Sequence, residues 1–152
     1  MFAVLFTLPV FGLLGLLASV YAIYAERQSL NHKKALCDFN EHMSCGVVLT
    51  SKYARMTKLA FGLRANNPLN LPNTYYGAMF YAAIFAYSFY PFTLIPYREA
   101  MLLVAASASV LASIGLFYIL VTKLKNFCAV CVACWIVNFC ILYLAVVEVG
   151  WI

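Results

Sequence analysis

The chain holds six cysteines, and their spacing raises the first chemical question. Cys37 and Cys45 stand in a polar stretch with seven residues between them. Cys128 and Cys131 form a C-x-x-C at the start of the last apolar stretch, with Cys134 and Cys140 deeper in it. A cysteine inside an apolar run is ordinarily a small packing residue. Cys134 and Cys140, which have no polar company, are read that way. Packing does not account for the other four. On a helix the C-x-x-C residues are i, i+3 neighbours. The first lies near the helix N-terminus, where amide dipoles favour a thiolate. Trp135 and Asn138 continue the face of Cys131 at i+4 and i+7. The pair is therefore expected to face an aromatic, partly polar pocket. Two thiol pairs suit disulfide exchange, which needs thiolate access and a difference in potential. Zinc would need four ligands, usually from two C-x2-C pairs. Here only one pair has that spacing, and it lies in hydrocarbon, so no metal is expected. His32 and His42 are candidate bases near the loop thiols, though loop histidines are ordinarily just solvated.

These cysteines must be positioned by membrane helices. The 152 residues are 66% hydrophobic, 16% aromatic and only 10% charged. Soluble domains are about half apolar and a quarter charged. A soluble enzyme, a nucleic-acid binder and a disordered chain are excluded, leaving an integral membrane protein of one domain, residues 1–152. Four stretches are long and apolar enough to span: 2–24, 77–96, 100–121 and 127–147. None carries a charge, and Pro9 and Pro91 interrupt two of them. The first has no basic segment ahead of it, since the first Lys or Arg is Arg27. Its apolar run also exceeds the roughly 15 residues of a signal peptide core, so it is expected as a retained helix. The predicted fold class is all-α, an integral membrane four-helix bundle. The short second and third connections make spans two to four antiparallel neighbours. The long loop 25–76 then covers one mouth. Leu49, Tyr53, Met56, Ala60 and Leu63 share one helical face, which suggests an interfacial helix. A solvated basic loop remains the alternative.

The charges and the cysteines disagree about orientation. Arg27, Lys33, Lys34, Lys52, Arg55, Lys58 and Arg64 lie in the long loop, and Lys123 and Lys125 lie on the same side. Only Arg98 lies on the other. The positive-inside rule puts the long loop in the cytosol. Disulfide relays persist in oxidising compartments. By helix parity the C-x-x-C shares the face of Cys37 and Cys45. Two pairs at one face suggest a relay from a soluble thiol partner to a lipid-soluble electron acceptor, naturally a quinone. The redox argument is preferred, and the loop is expected outside the cytosol.

The motifs now carry a resemblance. Ala35-Leu36-Cys37-Asp38, Cys45, and Phe127-Cys128-Ala129-Val130-Cys131 resemble the vitamin K epoxide reductases of animals. So do Pro72-Asn73-Thr74-Tyr75-Tyr76-Gly77, Ser19-Val20-Tyr21-Ala22 and Asn138. The similarity runs from about Ser19 to Tyr143, nearly the whole chain. It implies four helices around a quinone pocket, capped by the long loop from the endoplasmic reticulum lumen. It implies that Cys37 and Cys45 take electrons from thioredoxin-like or protein disulfide isomerase-type partners. Cys45 would then bridge to Cys128, freeing Cys131 to react with the naphthoquinone. Asn73 would hydrogen-bond a quinone oxygen, with Tyr76, Trp135 and Asn138 as further substrate contacts. One departure stands out. Cys134-Trp135-Ile136 occupies the place of a Thr-Tyr-Ala run whose tyrosine is a second polar contact. Trp135 has no phenolic proton, though its indole N–H can donate. The change bears more on epoxide chemistry and anticoagulant binding than on quinone reduction.

The expected function is thiol-dependent reduction of vitamin K quinone or its 2,3-epoxide in the endoplasmic reticulum membrane. The quinone would be a substrate, with no permanently bound cofactor. The same scaffold run backwards is a quinone-linked disulfide oxidase. A structural four-span junction protein is the alternative of another class. The loop lacks the Trp-rich motif of such proteins, and they leave the C-x-x-C unexplained.

Overall fold

The computed structural model describes residues 2–64, 66–89 and 91–150. Among them the fold is all-helical, with one isolated bridge between Asn40 and Met43. Helix α1, Phe2–Leu30, has 29 residues and is about 43 Å long at 1.5 Å per residue. It runs past the expected end of the first span, because Ala25, Glu26, Arg27 and Gln28 are good helix formers. A left-handed residue, His32 (φ 58°), ends it. The N–H of His32 donates to Ser29 O at 3.0 Å and that of Lys33 to Gln28 O at 2.9 Å. This is a Schellman closure. His32, a candidate base from sequence, sits exposed as a helix terminator.

The long connection is not one interfacial helix. It breaks into α2 (Cys45–Thr50), a 3₁₀ turn (Lys52–Ala54) and α3 (Met56–Phe61). Ser51, in an extended conformation, stops α2, and its hydroxyl donates to Val48 O at 2.7 Å. Such local bonds compete with helix continuation. Leu49 is buried and Tyr53 and Met56 are half-buried, but Ala60 is exposed. The expected stripe therefore covers the bundle only along its first half.

The second span also differs from expectation. Helix α4, Asn73–Ala86, starts before residue 77 and stops well short of 96. Its 14 residues give about 21 Å. Pro91 supplies the reason. A proline ring clashes with the carbonyl four residues back, here that of Tyr87, which is the residue capping α4. A 3₁₀ turn (Phe92–Leu94) and left-handed Tyr97 (φ 56°) then reverse the chain into α5, Arg98–Ile119. A wide π turn, Leu120–Leu124, and left-handed Lys125 lead to α6, Ala129–Val149. Three helical stretches are long and apolar enough to cross a membrane: Ala3–Leu30, Arg98–Leu124 and Ala129–Val149. Their outer faces expose large apolar side chains such as Phe6, Leu17, Val104, Leu111, Ile136 and Phe139. Lipid is the solvent that such surfaces require. The molecule is an all-α membrane bundle.

Packing is uneven around the ring. α4 lies on α1, α1 also on α6, and α6 on α5. α4 and α5, consecutive and expected as neighbours, stand apart. The α1–α4 contact depends on glycine. A Cβ at Gly12 would lie 2.7 Å from the backbone N of Phe85, and one at Gly15 would overlap the Tyr81 ring. Small residues let membrane helices approach this closely. Tyr81 joins Val4, Leu8, Ile84, Leu102, Ala106, Ile141 and Ala145 in a second core, against which Cys134 packs. The Gly12→Ala variant is expected to lose about 1–3 kcal/mol, because backbone cannot yield as a side chain can. Thermal unfolding in micelles measures this. Unchanged stability would mean that α1 and α4 do not meet at Gly12.

Candidate active site

The loop thiols are organised by one carboxylate. Asp38 accepts from Ala35 N at 2.9 Å, Ser44 Oγ at 2.8 Å and Gly46 N at 3.1 Å. Ser44 in turn caps α2, accepting from Val47 N at 3.3 Å. The residues on either side of the loop are thus stitched together. Cys37 and Cys45 are joined as a disulfide, with Cα atoms 5.9 Å apart. Both are buried. Burial works against ionisation of Asp38, but the bonds from Gly46, Ala35 and Ser44 outweigh it and hold its pKa below the ordinary value.

The second pair meets the first from α6. Cys128 is extended (φ −117°, ψ 110°) and stands one residue ahead of the helix as its N-cap. Its sulfur accepts the Cys131 N–H at 3.4 Å. The first amides of a helix favour negative charge at this position. Phe127 N–H donates to His42 O at 2.8 Å, tying the loop to the start of α6. His42 thus contributes its backbone here. Cys37, Cys45 and Cys128 belong to one buried cluster with Ala22, Ala25, Ala35, Val48, Leu49 and Leu120, and Cys131 packs against it. The common face inferred from helix parity is present, and the two pairs are in one apolar compartment.

Cys131 also opens onto a cavity of about 480 Å³. The capping segment supplies Leu49, Tyr53 and Met56 as its roof. One wall is α4, and the facing wall is α5, with small residues Ala105, Ala108, Ser109 and Ala112. The cavity fills the space where α4 and α5 stand apart. Asn73, Tyr76, Cys131, Trp135 and Asn138 all line it, whereas Cys128, Cys37 and Cys45 lie outside the lining. Cys134, read as packing, also faces the cavity, and Cys140 does not.

Each lining residue has a definite setting. Asn73 is the first residue of α4, yet its side chain makes no bond to the α4 amides. Its Oδ1 accepts from Met56 N at 3.1 Å, the first amide of α3, and its Nδ2 donates to Tyr53 O at 3.5 Å. Asn73 therefore clamps the roof onto α4 and keeps one amide proton spare. The Tyr76 hydroxyl donates to Leu69 O. Trp135 stacks edge-on against Phe117, with centroids 5.2 Å apart. Asn138 is buried, accepting from the Tyr81 hydroxyl at 2.7 Å and donating to Ser113 Oγ at 2.8 Å. The Ser113 hydroxyl passes on to Ser109 O at 2.8 Å. Sequence reasoning missed Tyr81, Ser113 and Thr74, all in the lining. A signal existed for Tyr81, because Asn73, Gly77 and Tyr81 recur at i, i+4, i+8 on one face of α4.

A largely buried dithiol beside an apolar chamber with a few polar groups can pass two electrons to a flat apolar acceptor. Comparison with known proteins agrees. Residues 6–146 match the model of the vitamin K epoxide reductase family. The chain is similar to vitamin K epoxide reductase complex subunit 1 of Rattus norvegicus, 31% identical over 133 residues, covering 83% of this chain and 78% of that protein. Its likeness to the Mus musculus protein of the same name is 29% over 144 residues, covering 90% and 85%.

The Asp38 bonds make a pH prediction. A carboxyl with a lowered folded pKa contributes stability that is complete above its unfolded value, about 3.9. That contribution is lost as pH falls through the folded value. The loop around Cys37 and Cys45 should resist protease equally from about pH 5 to pH 8 and open only below about pH 4. In the Asp38→Asn variant, which loses the charge, cleavage should be fast at every pH. Identical digestion of variant and wild type would remove Asp38 as the organiser.

Proposed function

The chain belongs to the vitamin K epoxide reductase family, a family of oxidoreductases, and on that premise we propose that it reduces a vitamin K-type naphthoquinone, its 2,3-epoxide, or both, with thiols as the electron source. The observation carrying this reading is Cys131 on the cavity wall, one turn from Cys128, which shares a buried cluster with the Cys37–Cys45 pair. The quinone reaches the cavity from the bilayer between α4 and α5. The spare Asn73 proton favours charge developing on a quinone oxygen, and the Trp135 ring walls the pocket. The Cys131 thiolate attacks the quinone. Cys128 then attacks the Cys131 sulfur, an S–S bond forms, and hydroquinone leaves with two electrons. Exchange through a Cys45–Cys128 bridge restores the inner dithiol and leaves Cys37 and Cys45 oxidised. A thioredoxin-like or protein disulfide isomerase-type partner then reduces the loop pair. Such a partner places the long loop in the endoplasmic reticulum lumen, against the charge rule. The whole chain acts as one transmembrane domain, with quinone as substrate and no permanently bound cofactor.

Purified protein with dithiothreitol and menadione is the direct test. Wild type should form hydroquinone, seen by its fluorescence. Cys131→Ala should lose at least about a hundredfold in rate, as nucleophile removal does. Cys140→Ala, away from the cavity, should keep wild-type turnover. Full activity in the Cys131→Ala variant would end the assignment.

The loop pair separates by donor. Cys37→Ala should retain most turnover with dithiothreitol, which reaches the inner pair directly, and lose it with a thioredoxin-like protein. Equal loss with both donors would show that Cys37 and Cys45 are not a shuttle.

A further inference from the structure

Thiolate attack on a quinone leaves negative charge on a ring oxygen, and a proton must reach that oxygen. The cavity lining contains no carboxylate and no histidine. Of the five acids in the chain, Glu99 lies in the first turn of α5 and Glu148 in the last turn of α6, at the opposite end of that helix from Cys128 and Cys131. Asp38 is committed to three donors and Glu41 is exposed in the loop. Glu26 remains. It lies on α1 immediately behind the cavity wall and is only 8% exposed. Thr74, which lines the cavity beside Asn73, donates its hydroxyl to Glu26 Oε2 at 3.1 Å. Among the described residues no cation lies within ion-pair distance of Glu26. An ionisable side chain this secluded on a membrane helix is costly to keep and points to use.

We propose that Glu26, acting through Thr74, supplies the proton that neutralises the quinone oxygen during reduction. This rests on the quinone-reductase reading above. A threonine hydroxyl has one proton and two acceptor positions. With Glu26 ionised, that proton points at the carboxylate and away from the cavity. With Glu26 protonated, the carboxyl donates to Thr74 Oγ1, and the Thr74 proton turns to the quinone. The pair is a proton donor only in its protonated form. When the Cys131 sulfur bonds the ring, the carbonyl π pair moves to oxygen. That oxygen takes the Thr74 proton, and Thr74 takes the Glu26 proton. Cys128 then attacks Cys131, the S–S bond forms and the C–S bond breaks. Its electron pair returns to the ring, and the Cys128 proton completes the hydroquinone. The dithiol is oxidised by two electrons and the quinone reduced by two. Water at the loop side reprotonates Glu26, matching the proton that Cys131 released on becoming a thiolate.

The groups around Glu26 permit this cycle. Arg27 follows it on α1 and is exposed, with Nη2 donating to the Tyr75 hydroxyl of α4 at 3.5 Å. Arg55 approaches from the capping segment, where its Nη1 donates to Asn70 O at 2.7 Å. α2 carries no charged side chain, and the nearby start of α6 brings only cysteine thiols.

The test is single-turnover reduction of menadione by the dithiothreitol-reduced full chain in nanodiscs, over about pH 5–9. Glu26→Gln and Thr74→Val should each slow the single-turnover rate about a hundredfold with the half-saturating menadione concentration unchanged, the low end of a general-acid contribution. The double variant should be no slower than either single one. The wild-type rate should fall as pH rises through one ionisation, and Glu26→Gln should abolish that limb. Thr74→Ser should restore rate and profile. Reduction of the oxidised Cys128–Cys131 pair by dithiothreitol should be the same in every variant, so a merely structural defect is distinguishable. Should Glu26→Gln fail to fold, the near-isosteric Thr74→Val decides alone, since it leaves the carboxylate in place. Wild-type rate and pH limb in either folded variant overturn the proposal. A wild type that does not reduce menadione overturns the underlying function, and this inference with it.

Discussion

The close approach of α1 and α4 determines the rest of the architecture. Gly12 and Gly15 bring the α4 backbone and the Tyr81 ring against α1 at a distance no larger residue permits. A helix drawn so tightly to one neighbour cannot also fill the space beside α5. The gap that results is the cavity, and the ring is closed only at its base. There Tyr81, Asn138 and Ser113 link α4, α6 and α5 through hydrogen bonds of 2.7 and 2.8 Å. Satisfied polar bonds across apolar helices hold the separation without collapsing it. The chamber is thus a consequence of where glycine lies, and its floor is polar because the spanning bonds must be.

The roof is attached by a different device. Asn73 binds Tyr53 O and the first amide of α3, so the capping segment is fastened to the top of α4. Phe127 fastens the cysteine loop to α6 through His42 O. Those two attachments bring the disulfide loop and the cavity roof onto one buried cluster, which holds Cys37, Cys45, Cys128 and the roof residue Leu49. The two cysteine pairs and the cavity wall are therefore joined by one continuous apolar cluster.

Much of this was legible from local spacing. The C-x-x-C and its continuation through Trp135 and Asn138 depend on helical periodicity alone, and all but Cys128 face the cavity. The all-α membrane class followed from composition. What escaped depended on distant partners. Thr74 meets Glu26 across 48 residues, and Tyr81 meets Asn138 across 57. No local rule reports such contacts. The overlong second span had another cause. Hydropathy does not separate an apolar helix from an apolar turn, and Pro91 was the only warning. The capping segment misled for the opposite reason. Its periodic stripe is real near Leu49, Tyr53 and Met56, but Ser51 and Asn73 divide the backbone into pieces that periodicity cannot see.

The shortness of α4 bears on the surrounding lipid. A wall of about 21 Å faces a hydrocarbon layer of about 27–33 Å, depending on the membrane. Exposed Phe89, Phe92, Leu94 and Ile95 extend the apolar surface beyond the helix end. The remaining difference is hydrophobic mismatch, and acyl chains accommodate it by thinning the leaflet beside α4. A thin bilayer relieves it and a thick, sterol-rich one aggravates it. The helix that walls the chamber therefore also gives the protein a preference among membranes.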